Sequence, residues 1–424
     1  MKPLPPAVAR YLSRRAVAGP WHISGTEGRD YAAAVVIPAL AESSTLPATL
    51  DSLAANPAEN LAETLILVVV NQRPDSSAAD KQDNQRTLRQ LESASRQQTG
   101  LQLAWVDATG PERELPMQDG GVGLARKIGF DLALQRLDFQ HSAPLLIALD
   151  ADTLVRDNYL QRLRDHFRSN PQGATVVPFQ HRPGATPAHH LAMVRYELFL
   201  RAHVLGLELA RSPYGFHTVG STMACRAEAY VGAGGMNRRK AGEDFYFLQQ
   251  LAKTTGVAPL QGTLVYPSSR VSARTPFGTG RSVGALLAGD AEAVLLYPAA
   301  CYGLLGDWLG LVDSYLAEDG VTLLSRARRQ NPQLGVFLEQ ENFPALWDRL
   351  GHNHRQPQLH RKAFHDWFDG LKTTRLIHHL CATLHPRDHP QTVLPALLRK
   401  AGLDAPNCPE EQLDLLRRHQ SAAP

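Results

Sequence analysis

Two acidic pairs in this chain have the residue types and spacing to do chemistry. Asp150 and Asp152, separated by Ala151, follow the oily run Leu145-Leu146-Ile147-Ala148-Leu149. Such a run reads as a strand buried on both faces, so the two carboxylates fall on the turn where it stops. Carboxylates gathered on one turn suit a hard cation such as Mg²⁺ or Mn²⁺, which needs one or two protein oxygens when phosphates complete its shell. Either Asp, taken alone, also reads as the cap of the following helix. Asp157, nearer the start of "NYLQRLRDHF", is the better cap. The second pair, Glu243-Asp244, follows Gly242 and opens a helix whose apolar residues are Phe245, Phe247, Leu248 and Leu251. Acids in a first turn are ordinarily capping and dipole residues, and standing alone this pair reads that way.

Two further segments carry groups that meet ligands. Backbone amides at Gly220, Ser221 and Thr222 suit hydroxyls, or else form a tight turn into a strand. Arg270, Arg274 and Arg281 lie among Gly, Ser, Thr and Pro in "VYPSSRVSARTPFGTGRSV", which reads as a loop whose guanidinium groups pair with phosphate oxygens. There is no GxxxxGK[ST] or HExxH. "GGVGLARKIG" approaches GxGxxG but has Arg126 in place of the third glycine, a weak dinucleotide fingerprint.

These residues need a scaffold, and the chain reads as strands separated by single helices. Strands are expected at 32–40, 63–72, 101–108 and around 143–152, with helices over "SSTLPATLDSLAAN", "DKQDNQRTLRQLESASRQQ", "GLARKIGFDLALQRL" and "DNYLQRLRDHF". That alternation implies parallel pairing with right-handed crossovers, and ligands in such sheets bind beyond the carboxyl ends of the strands. Glu42, Asn71, Asp107, Asp150 and Asp152 all fall at that edge. From about residue 286 the pattern is helical.

Composition limits the remaining possibilities. With 424 residues, 43% hydrophobic and 20% charged, the chain fits a globular protein with one large domain and a smaller one attached. A formal net charge of +3 is too mild to argue for nucleic acid. Cys225, Cys301, Cys381 and Cys408 are scattered, which suits reduced thiols and a cytoplasmic setting. The N-terminus lacks the apolar core of a signal peptide, and Asp290, Glu292, Pro298 and Asp307 interrupt the oiliest later stretch, so no transmembrane span is expected. Peripheral contact with a membrane surface stays open. Eight histidines (His352, His354, His360, His365, His378, His379, His385 and His389) lie among polar neighbours with no repeating spacing, as on a solvated helical face, and are not taken as metal ligands.

In this order the motifs resemble those of a family 2 glycosyltransferase of the GT-A fold. "VVIPALAES" matches the family's opening strand, with Pro38 and Glu42; "GGVGLARKIG" matches its glycine-rich turn, with Arg126 and Lys127; Asp150-Ala151-Asp152 matches its D-x-D. Gly220-Ser221-Thr222, Gly234-Gly235 and Glu243-Asp244 match its acceptor-side segment. The resemblance covers roughly residues 31 to 285. It implies an α/β, Rossmann-like GT-A sandwich over 31–285, an N-terminal extension over 1–30 and a helical C-terminal extension over 286–424. Asn71 stands where the family usually has a base-reading acid, leaving Asp107 or Asp75 for that role; the Q-x-x-R-W of processive synthases is absent.

The resemblance also implies an inverting, metal-dependent transfer of a sugar from a nucleotide-diphosphate sugar to an acceptor hydroxyl. Pro38, Ala39, Glu42, Asn71, Asp107, Arg126, Lys127, Asp150, Ala151 and Asp152 would bind the donor, a UDP-sugar or GDP-mannose. Asp152 would ligate Mn²⁺ or Mg²⁺ directly and Asp150 through water; Asp244 would be the base and Glu243 its orienting partner. Gly220, Ser221 and Thr222 would face the acceptor, and Arg270, Arg274 and Arg281 the diphosphate. A homodimer contact stays open for the helical region. A sugar nucleotidyltransferase on the same fold, a non-catalytic nucleotide- or glycan-binding module and a dinucleotide-dependent oxidoreductase are the rival readings. The first is disfavoured because "IPALAES" replaces its glycine-rich loop.

Overall fold

The computed structural model of the chain describes residues 3–28, 30–96, 100–272 and 278–421. Runs of β-branched and aliphatic residues form the inner strands: β1 (Ala33–Ala39) follows helix α1 (Pro6–Arg14), and α2 (Leu46–Ala54) and α3 (Ala58–Ala62) lead to β2 (Thr64–Asn71). Every residue of β2 is buried, as a parallel strand covered on both faces requires. Then come α4 (Ala78–Arg96), β3 (Gln102–Ala108), α5 (Val122–Ala133), β4 (Leu145–Ala148), β5 (Leu154–Val155), α6 (Tyr159–Ser169), β6 (Ala174–Val176), α7 (Pro187–Leu209), β7 (Met223–Arg226), α8 (Ala227–Gly232), α9 (Glu243–Thr254), β8 (Val257–Pro259) and β9 (Val265–Tyr266).

Among the described residues the main sheet has seven strands in the order β3-β2-β1-β4-β7-β6-β8. All run parallel except β7, which is antiparallel to both β4 and β6. This is the α/β class expected from the sequence, a mostly parallel sheet with helices packed on it. The chain steps outward from β1 to β2 and β3, then returns to place β4 on the other side of β1. That reversal makes the carboxyl ends of β1 and β4 the topological switch point, where open α/β sheets bind ligands in a crevice. Because β7 runs backwards, the turn that enters it lies at the same edge, with Ala224 opposite Ile147.

Two smaller pairings matter. The segment before β1 reaches the outer strand, where Ser24 and Trp105 exchange backbone hydrogen bonds of 2.8 and 2.9 Å. A two-stranded antiparallel sheet joins Leu154 to Tyr266 and Val155 to Val265. Asp157 does not cap α6; the cap position is Asn158, and the Leu160 amide is taken by Asn56 Oδ1 at 2.9 Å. Asn56, in the connection between α2 and α3, thus fills a capping role from a distant part of the chain.

The chain divides into two compact units. One holds residues 1–182, 218–278 and 421–424; the other holds 183–217 and 279–420. The second unit thus includes α7, from inside the stretch 31–285, and starts its later part at α10 (Thr279–Leu287), seven residues before 286. It continues with α11 (Ala299–Ser314) through to α18 (Pro409–Ser421). Its core centres on Trp308, fully buried with its ring edge-on to Phe343, Phe364 and Phe368. On α7, Glu197 is buried and paired with Arg201 and with Arg417 of α18, both at 2.8 Å. The eight histidines are not uniformly solvated: His352 and His378 are exposed, as expected, whereas others pack inward. His360 is buried against Trp347, His378 bonds the Tyr297 hydroxyl at 2.9 Å, and His379 bonds the Gln333 carbonyl at 3.1 Å. Aromatic neighbours from other helices, invisible in the local sequence, account for the difference. No described helix is long and apolar enough to cross a membrane.

Candidate active site

The carboxyl ends of β1 and β4 deliver three carboxylates to the crevice. Glu42 lies three residues beyond β1, and Asp150 and Asp152 lie on the turn after β4. That turn is held from several directions: the Thr153 amide donates to the Asp150 carbonyl at 3.1 Å, Thr49 Oγ1 to the Ala151 carbonyl at 3.0 Å, and an Arg182 guanidinium nitrogen to the Asp152 carbonyl at 2.9 Å. The β5–β9 pairing then carries the following segment onto this turn, with the Arg182 amide bonded to the Pro267 carbonyl at 3.0 Å. It seats Arg270 between two of the acids. Arg270 pairs with both oxygens of Glu42, Nη1 to Oε2 at 2.8 Å, and its Nε lies 2.8 Å from Asp152 Oδ2.

A second guanidinium joins the two acidic motifs. Arg126, in the first turns of α5 and only 2% exposed, pairs through Nη2 with Asp150 and through Nη1 with Glu243. Glu243 is 3% exposed and opens α9, while Gly242 before it has a left-handed φ of 70° that a glycine adopts without strain. The Asn237 amide donates to the Glu243 carbonyl at 2.8 Å. Gly220 is demanded by the same contact: a Cβ there would stand 2.5 Å from Arg126 Nη2. Residues 220–222 form a 3₁₀ turn into β7, with Thr222 Oγ1 bonded to the Val219 carbonyl at 2.8 Å. The Ser221 hydroxyl and Arg126 Nε are buried with no hydrogen-bond partner among the described residues.

Burial sets the electrostatics. It pushes the Asp152 carboxyl up to about 6, with Arg270 opposing and Asp150 and Glu42 adding to the rise. Asp244 rises to about 7, first through burial and then through repulsion from Glu243, with Arg126 opposing. Glu243 is also raised by burial, against the pull of Arg126. A carboxyl poised near neutrality beside fixed cations is the arrangement found where protons are moved.

Several expected residues stand elsewhere. Lys127 does not face the crevice: it pairs with Asp131 at 3.1 Å and donates to the Tyr11 hydroxyl at 2.7 Å, beneath α1. Successive helix residues point about 100° apart, so Arg126 and its neighbour serve different surroundings. Asn71 spends its amide on the carbonyls of Ala39 and Val69, both at 3.1 Å, clasping the ends of β1 and β2. Pro38 and Ala39 lie within β1. Asp107 accepts from the Thr109 amide and hydroxyl at 3.0 and 2.6 Å and pairs with Arg113 at 3.0 Å; Asp75 pairs with Arg73 at 3.0 Å. Arg281 is on helix α10 of the second unit, not on a loop with Arg270, because the chain after Gly278 turns helical. Arg274 lies outside the described residues. Sequence reasoning missed Arg182, Thr45 and Thr49. Thr45, whose hydroxyl donates to Glu42 Oε2 at 2.5 Å, was findable from its spacing of three residues, whereas nothing local marks Arg182.

Among the described residues no group of three or more His, Cys, Asp or Glu side chains is arranged to hold a metal ion. No protein-family model matches the chain, and no curated protein matches it. Among solved structures it is similar to S. aureus TarS 1–349 in complex with UDP-GlcNAc, at 14% identity, covering 82% of this chain and 90% of that one, with a TM-score of 0.40. It is similar too to mannosyltransferase PcManGT from Pyrobaculum calidifontis in complex with GDP-Man and Mn²⁺, at 15% identity, covering 85% and 95%, with a TM-score of 0.37. Both likenesses are distant.

Proposed function

We propose that the chain is a glycosyltransferase that moves a sugar from a nucleotide-diphosphate sugar to an acceptor hydroxyl, with inversion at the anomeric carbon. The observation that carries this reading is the Arg126 bridge, which ties Asp150 of the D-x-D turn to Glu243 at the start of α9 and so gathers both acidic motifs into one crevice. In this reading Asp244 takes the acceptor proton as the hydroxyl oxygen bonds the anomeric carbon and the bond to the diphosphate breaks. A base of about 7 is well matched to that step, which typically contributes about 10²–10⁴-fold. Glu243 and Arg126 hold the base in register, and Arg270 meets the negative charge gathering on the leaving diphosphate.

The donor set suits a divalent cation: Asp152 and Asp150 offer only hard oxygens, and the raised Asp152 carboxyl marks a place where added positive charge lowers the energy. Asp152 is the direct ligand in this reading, and a bound Mn²⁺ or Mg²⁺ would supply charge neutralisation for the leaving group. The donor is a UDP-sugar or GDP-mannose.

A melting-temperature screen of nucleotide sugars, with and without Mn²⁺, identifies the donor; a ligand at 100 times its dissociation constant adds about 2.7 kcal/mol. With that donor, Asp244→Asn is expected to lower transfer by about 10²-fold or more while donor binding stays within a few-fold. Equal loss of donor binding would remove Asp244 as the base. Asp152→Ala is expected to weaken donor binding chiefly when Mn²⁺ is present, and an effect indifferent to chelator would remove the metal role.

A further inference from the structure

The seat of Arg270 suggests more than a diphosphate contact. Its three guanidinium nitrogens are all committed to acids: both Nη to Glu42, and Nε to Asp152 Oδ2 at 2.8 Å. Asp152 is on the turn where a divalent cation is placed by the proposed function, on which this inference rests, and Glu42 shares Arg270 with it. We propose that Arg270 is a built-in counter-cation that holds Glu42 and Asp152 until a nucleoside diphosphate arrives, so that Arg270 and the metal exclude each other on Asp152.

The physical case is one of charge and reach. A cation on the same Asp152 oxygen, at a ligand distance of roughly 2.1 Å, would lie within about 5 Å of Arg270 Nε. Two positive groups that close in a partly buried crevice repel strongly. A diphosphate changes the balance because guanidinium pairs with phosphate oxygens in the same forked geometry it uses on a carboxylate. Arg270 can trade Glu42 and Asp152 for phosphate oxygens, releasing Asp152 to the cation that the same phosphates bring. The side chain has a way out, being 34% exposed, whereas the side chain of Arg126, on the neighbouring acid, is buried and stays with Asp150 and Glu243. Arg270 also sits only four residues after β9, so release moves it a short distance rather than out of the crevice. The consequence is ordered entry: metal binds poorly alone and well with nucleotide.

The test is Mn²⁺ binding, read from the electron paramagnetic resonance of free Mn²⁺, with the ion alone, with UDP and with GDP. The wild-type chain is expected to bind Mn²⁺ at least 10-fold more tightly with one of the two nucleotides than without. Arg270→Gln is expected to bind Mn²⁺ alone at least 10-fold more tightly than wild type, with the nucleotide effect shrinking below about 3-fold. Unchanged or weaker Mn²⁺ binding by Arg270→Gln, beside a wild type that still needs nucleotide, overturns this inference and leaves the proposed function standing. No Mn²⁺ binding by either protein under any of the three conditions overturns this inference together with the metal role in the proposed function. Melting curves establish that the variant is folded. Should it not fold, the wild type decides alone, since equal affinity with and without nucleotide overturns the exclusion.

Discussion

Asp244 and Arg126 divide the work of the crevice at the level of single side chains. In the proposed function Asp244, its carboxyl near 7, is a base only when ionised, so transfer should climb as pH rises through about 7 and level off above it. A pH–rate profile measured with saturating donor checks this; a rate falling across that window would contradict it. The same shift bears on stability. A carboxyl raised in the folded chain contributes stability that is whole below the usual unfolded value, about 4, and is lost as pH rises toward about 7. Asp244→Asn escapes that loss, so its melting temperature should gain on wild type between pH 5 and 8.5, by about 2–4 °C for each kcal/mol recovered. Arg126 is the opposite case. Arg126→Met strands Glu243, 3% exposed, without a counter-charge, and should cost about 3–5 kcal/mol in urea unfolding. Adding Glu243→Leu should restore part of it.

Secondary-structure elements set where those side chains meet. The turn over residues 220–222 lies against Arg126 because β7 runs backwards beside β4. Gly220→Ala places a methyl group 2.5 Å from the guanidinium, and is expected to cost about 1–3 kcal/mol and lower transfer at least 10-fold. Activity unchanged in a folded Gly220→Ala chain would show that Arg126 need not stay where it is. Strands β1 to β4 were legible in the sequence because a strand buried on both faces is an unbroken apolar run, and the D-x-D turn because such a run must end. The two-residue strands β5 and β9 were not legible: neither has a pattern of its own, and they exist through pairing across more than a hundred residues. The seat of Arg270 depends on that pairing, so its loop was expected while its partners were not. Lys127 stands with Asp131 and Tyr11 rather than with Arg126 because a motif names neighbours in sequence, while a helix turns each of them to a different surface.

At the scale of the molecule, burial does what local pattern cannot announce. Helix α7, read as part of the stretch 31–285, packs with the C-terminal helices because Glu197 and Arg201 need Arg417 and Gln420 as partners. The N-terminal segment likewise becomes structural: Tyr11 Oη and the Val17 amide both donate to Asp131, at 2.7 and 2.8 Å. Further along, that segment lays Ser24 on Trp105, in the middle of the outermost strand. An uncovered strand margin is a template on which a second chain can stack, and one short bridge breaks the template where a flat approach would begin. Replacing Ser24 with Pro removes the amide that bonds Trp105 and should raise light scattering on storage, while leaving turnover per folded molecule unchanged. Scattering equal to wild type would mean that the margin is guarded by something else. The expected effect of Ser24 is therefore colloidal rather than catalytic, felt between copies of this chain and not in turnover.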